Sequence, residues 1–168
     1  MSNNLGSLCL KRSVVIDNDI HEARWLQVEI ASTVEHYHPG EAAIAAIRLA
    51  LEEALVNAVV HGNNSDPNKK LRIEYEIGPS EVRIRIEDEG SGFDPTSLPD
   101  PTLPEYRLRP RGRGVFLMQT SMTQVTFHGR GNCVEMVRRM NGAHHLAVTS
   151  KINVRRQRTG AYQCQTET

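Results

Sequence analysis

Residues 51–63 read LEEALVNAVVHGN. They close a longer segment, Glu41 to His61, in which Ile44, Ile47, Leu51, Leu55 and Val59 recur at helical spacing. Ala46, Leu49, Val56 and Val60 fill the remaining sides, so the pattern predicts a helix apolar on nearly every side and buried between other elements. Glu53 and Asn57 are set into this surface four residues apart, which puts them on one face. An acid and an amide in such surroundings cost free energy unless they are paired or used. Two readings stand: a hydrogen-bonded structural pair at a helix edge, or a working pair. Glu52 points about 100° away from Glu53 and reads as a solvated neighbour.

Upstream of this helix, Leu8 to Ile16 (LCLKRSVVI) reads as a first strand, and Asp17, Asn18 and Asp19 offer helix caps. Ala23, Leu26, Ile30 and Val34 then form one helical stripe, which Pro39-Gly40 ends. Downstream, Leu71, Ile73, Tyr75 and Ile77 alternate with Arg72, Glu74 and Glu76. After Gly78-Pro79-Ser80 the alternation resumes with Val82, Ile84 and Ile86, predicting an antiparallel hairpin with one wet face. Asp94 to Pro110 is proline-rich and irregular, and Gly114 to Met122 reads as a short helix. A second hairpin runs from Gln124 to His128, turns through Gly129-Arg130-Gly131 and returns from Asn132 to Met140. The order of elements predicts an α+β two-layer sandwich, a mostly antiparallel sheet packed on helices. Its domain spans residues 1–140, and a polar tail, 141–168, reads as poorly ordered or in need of a partner.

Composition narrows the function. The 168 residues suit one domain, and 20 Lys+Arg balance 20 Asp+Glu. That balance argues against a dedicated nucleic-acid binder, which needs excess base to neutralise phosphates. No apolar run reaches the roughly 20 residues of a membrane span, and Met1 to Leu10 lacks a signal-peptide pattern, so a cytoplasmic location is expected. Cys9, Cys133 and Cys164 are far apart and form no CxxC pair, which reads as reduced structural thiols.

Two glycine-rich stretches complete the candidate site. Asp88-Glu89-Gly90-Ser91-Gly92 follows a strand; it is either an ordinary strand-ending turn or a place where backbone approaches a ligand and a carboxylate accepts a hydrogen bond from a base edge. Arg111-Gly112-Arg113-Gly114 precedes a helix, where exposed N–H groups and the dipole suit phosphates, though a flexible hinge has the same composition.

In their order and spacing, ALVNAVVHGN, IEDEGSGFDP and RGRGVFLM resemble the GHKL (Bergerat-fold) ATPase and kinase superfamily, over about Ser7 to Met140. The compact size is most like the bacterial anti-sigma-factor serine/threonine kinases. The resemblance implies ATP and Mg2+ as cofactors. It implies that Asn57 holds Mg2+, Glu53 acts as general base, Asp88 binds the adenine amino group with Gly90 and Gly92 letting the base approach, and Gly112 and Gly114 present N–H groups to phosphates, with Arg111 and Arg113 beside them. His61 and Asn63 follow the metal helix and are candidates for the pocket wall. The implied partners are a sigma factor and a small antagonist protein that is phosphorylated. A homodimer is also compatible, through an apolar first helix or first strand. No lysine lies between Lys70 and Lys151 and no Gly-Lys pair occurs, which excludes a Walker P-loop. No phosphoacceptor-histidine helix pair precedes the domain. Against the kinase reading stand a nucleotide-dependent sequestering module without phosphotransfer and a detached histidine-kinase-like ATPase module.

Overall fold

The computed structural model describes residues 9–95, 113–140 and, as backbone, 153–155. The chain opens with β1 (Leu10–Asp17), α1 (Ile20–Glu35) and α2 (Glu41–Val56), which continues into a π-helical turn (Asn57–Gly62). Then come β2 (Lys70–Ile77), β3 (Glu81–Asp88), α3 (Arg113–Ser121), β4 (Gln124–His128), β5 (Cys133–Arg139) and β6 (Asn153–Arg155). The six strands form one sheet in the order β1-β2-β3-β5-β4-β6, antiparallel except where β6 runs parallel to β4. The expected α+β sandwich is therefore the fold. β6 extends the sheet into the stretch read as a polar tail; the rest of that tail lies outside the described residues.

Local chemistry accounts for each element. The Asp19 carboxylate accepts from the His21 N–H and caps α1. The α1 stripe Ala23, Leu26, Ile30 and Val34 is buried as its spacing predicts. In the β2–β3 hairpin Ile77 stands opposite Val82 and Ile73 opposite Ile86, which sends every apolar residue to one face. Against that face pack Ile47, Ala50, Leu51, Ala54 and Leu55 of α2 and Val115 and Met118 of α3. Burying one such large aliphatic side chain contributes about 1.5–3 kcal/mol. The opposite face is charged: Arg83 bridges Glu81 and Glu135, each at 2.8 Å, in half-buried pairs.

One expectation needs correcting. The helix from Glu41 is not buried all round: Leu49 and Val60 are exposed, as is Glu52. A single helical layer covers the sheet, so a central helix keeps one side toward solvent whatever its composition. The segment also changes pitch at Asn57. There Asn63 N–H donates to Ala58 O at 2.8 Å and Ser65 N–H to Val59 O at 2.9 Å, bonds longer in sequence than the α pattern.

Candidate functional site

The π-helical turn begins at Asn57, so the proposed metal ligand sits where the helix widens, a feature frequent at functional sites. Glu53 lies one turn earlier, and both side chains are half-buried. α3 brings its first turn against them. A Cβ built on Gly114 would stand 2.7 Å from Glu53 Oε2 and 3.1 Å from Asn57 Nδ2. Only a glycine lets the N-terminus of α3, with its free N–H groups, come this close to both side chains. Arg113 is the exposed first residue of that helix. At its other end the buried Arg138 donates from Nη1 to Ser121 O at 2.7 Å, which complements the C-terminal dipole. Arg111, Gly112 and the proline-rich stretch beyond Pro95 lie outside the described residues.

The second half of the site is the turn after β3. Gly90 N–H donates to Asp88 Oδ1 at 2.8 Å, and the Asp88 carboxylate lies against Gly62, where a Cβ would collide with it. Gly90 in turn packs on the Gly62 carbonyl. Burial pushes the Asp88 carboxyl above the usual carboxylate range, opposed by the Gly90 N–H and by the positive charge of Arg130. Asp88 Oδ2 has no hydrogen-bond partner among the described residues.

Asn63 departs from its expected place. It is 0% exposed and does not stand on a pocket wall. Its Nδ2 donates to Asn18 Oδ1 (3.1 Å) and Lys70 O (3.0 Å), and its Oδ1 accepts from Glu89 N–H (2.8 Å). The side chain is thus spent on joining the π-helical turn to β2 and to the Asp88 turn. His61 is exposed at the end of the π-helical turn.

Sequence reasoning passed over the β4–β5 turn and Gly62. Asn132 Nδ2 donates to Asp88 O at 2.7 Å, and Asp88 N–H donates to Asn132 O at 2.9 Å. Arg130 donates twice to Gly90 O, from Nε at 3.0 Å and Nη2 at 2.6 Å. The Phe93 ring meets Phe127 edge-on, with centroids 5.3 Å apart. The GRGN composition signalled a turn but not what the turn would hold.

No group of three or more His, Cys, Asp or Glu among the described residues could hold a metal ion. A reactive thiol is also excluded at Cys133, whose pKa is pushed up to about 12 by burial. No helix among the described residues is long and apolar enough to cross a membrane.

Comparison with known proteins gives the family. The profile of the histidine kinase-like ATPase domain matches residues 17–138. An anti-sigma F factor of Clostridium perfringens (strain SM101 / Type A) is 28% identical over 122 residues, 68% of this chain and 86% of the relative. One from Clostridium botulinum (strain Eklund 17B / Type B) is 29% identical over 68% of this chain and 84% of its own. One from Geobacillus sp. (strain WCH70) is 28% identical over 63% and 74%.

Proposed function

Because this chain belongs to the histidine kinase-like ATPase domain family, we propose that it is an ATP-dependent serine/threonine protein kinase acting in the cytoplasm as an anti-sigma factor. Its partners on this reading are a sigma factor, which it holds, and a small antagonist protein, which it phosphorylates. The names of its relatives support the sigma-factor partner. The observation that supports the chemistry is the approach of Gly114 to Glu53 and Asn57, which gathers a carboxylate, an amide and a helix N-terminus at one point.

Asp88 Oδ2 accepts a hydrogen bond from the exocyclic amino group of adenine. The N–H groups at the start of α3 face the phosphates, with Arg113 adding positive charge. Asn57 Oδ1 would hold Mg2+, a cation that suits a single amide oxygen because it commonly keeps phosphate and water ligands. When bound, Mg2+ neutralises phosphate charge. The Glu53 carboxylate takes the proton of a serine or threonine hydroxyl as that oxygen bonds to the γ-phosphorus and the bond to ADP breaks.

The test is transfer of labelled γ-phosphate to candidate antagonists. Glu53→Gln keeps the shape and removes the base. It should leave ATP binding nearly intact and cut transfer by at least about tenfold, toward the 10²–10⁴-fold typical of a positioned base. Tight ATP binding with equal, negligible turnover in wild type and variant would replace the kinase with a sequestering module.

The chain also pairs with a second copy on this reading. Trp25 is 77% exposed on α1 and Val28 60%, beside β1, the end strand of the sheet among the described residues, where Val15 is 55% exposed. Trp25→Ser should convert the dimer to monomer in light scattering. An unchanged mass would move the contact elsewhere.

A further inference from the structure

The turn that carries Asp88 contains two glycines, and glycine leaves a peptide several orientations of similar energy. Something must select one. On one side the turn rests on Gly62 and Asn63. On the other it meets the β4–β5 turn so closely that a Cβ on Gly92 (φ +77°) would strike the Arg130 carbonyl, and a Cβ on Gly131 (φ +90°) the Phe93 carbonyl. From that second turn the Arg130 guanidinium reaches back and donates both Nε and Nη2 to Gly90 O. Two bonds from a planar cation to one carbonyl fix the orientation of the peptide that follows Gly90. Gly90 is also the residue whose N–H holds Asp88 Oδ1.

We propose that Arg130 is a positioning residue for base recognition: by holding Gly90 it keeps the Gly90 N–H on Asp88 Oδ1 and leaves Oδ2 aimed at the amino group of adenine. This rests on the reading of Asp88 as the adenine contact. Arg130 has a second effect through charge. The groups that face Asp88 are the Gly90 N–H, Arg130 and Lys69, which favour its ionised form, and Glu87, which opposes it. An ionised carboxylate accepts the amino hydrogen of adenine, and guanine presents a carbonyl there, which the carboxylate repels.

The experiment is calorimetric titration of the full chain with ATP and with GTP across pH 5–8, for wild type, Arg130→Gln, Arg130→Lys and Asp88→Asn. Arg130 is exposed, so its variants should fold, and melting temperatures check this. Arg130→Gln should weaken ATP binding by about tenfold, the effect of losing a charge-assisted hydrogen bond, and shrink the preference for ATP over GTP by a similar factor. The pH below which ATP affinity falls should move up in Arg130→Gln, because the removed charge favoured ionised Asp88, and stay near the wild-type value in Arg130→Lys. If Asp88→Asn loses ATP while Arg130→Gln keeps the wild-type affinity, preference and pH limb, the positioning role is wrong and the base reading stands. A lowered melting temperature with no change in preference or pH limb overturns it equally. If Asp88→Asn also binds like wild type, the base reading falls, and the positioning role with it.

Discussion

Gly90 and Gly114 each sit where a Cβ would collide, but with different things. At Gly90 the obstacle is the backbone carbonyl of Gly62; at Gly114 it is the tips of the Glu53 and Asn57 side chains. The same contrast runs through the whole site. Around Asp88, main chain meets main chain at Gly90, Gly92 and Gly131, and Asn63, Arg130 and Asn132 tie the segments together. Near Glu53 and Asn57 the contacts are made by half-exposed side chains that can swing. On the proposed reading, the base end is therefore shaped before any ligand arrives, whereas the contacts at the phosphate end are made by side-chain tips. Rigid shape suits a flat ring that must be told from its relatives.

The widest test of this contrast pairs two alanines. Gly90→Ala drives a methyl into main chain that has nowhere to move and should destabilise the fold by about 3 kcal/mol, the upper end of ordinary overpacking. Gly114→Ala meets only rotatable carboxylate and amide ends, and alanine suits a helix better than glycine, so the net cost should stay under about 1 kcal/mol. Urea denaturation of both proteins measures the difference, and equal losses would break the comparison. A finer probe is Asp88→Asn, which leaves the braced frame intact and alters one acceptor. ATP binding should weaken by about 1–3 kcal/mol in calorimetry while stability holds. An unaltered affinity would mean that the frame grips something other than an adenine amino group.

What could be read from the chain follows the same division. The period-two alternation of Leu71 to Ile86 and the stripe from Ala23 to Val34 announce their elements because a whole face of each is apolar. Glu53, Asn57, Asp88 and Gly114 stood out because polar or minimal residues in their settings need a reason. The bracing was hidden. Asn63 reads as a polar residue after a helix, and its complete burial depends on Asn18, 45 positions earlier, and Glu89, 26 positions later. Arg130 and Asn132 belong to a turn whose composition gives its shape but not its neighbour. The π-helical turn leaves no mark in a hydrophobic period because it lasts only six residues. Asn153–Arg155 joins the sheet from a stretch in which Ile152 and Val154 alternate with Lys151, Asn153 and Arg155, a period-two mark too short to stand out from the polar residues around it.

The strand order has a consequence for how the molecule comes together. β5 lies between β3 and β4, and its pairing with β3 joins positions some fifty residues apart, as at Ile84 and Met136. The β2–β3 hairpin can form early from local contacts, while the middle of the sheet waits for a strand made much later and for a long loop to close. Asp88 belongs to the early hairpin, and Asn132, which holds it, to the late one. During synthesis, then, the chain carries half of the proposed nucleotide pocket before the other half exists, and that site matures in the same event that seals the centre of the sheet.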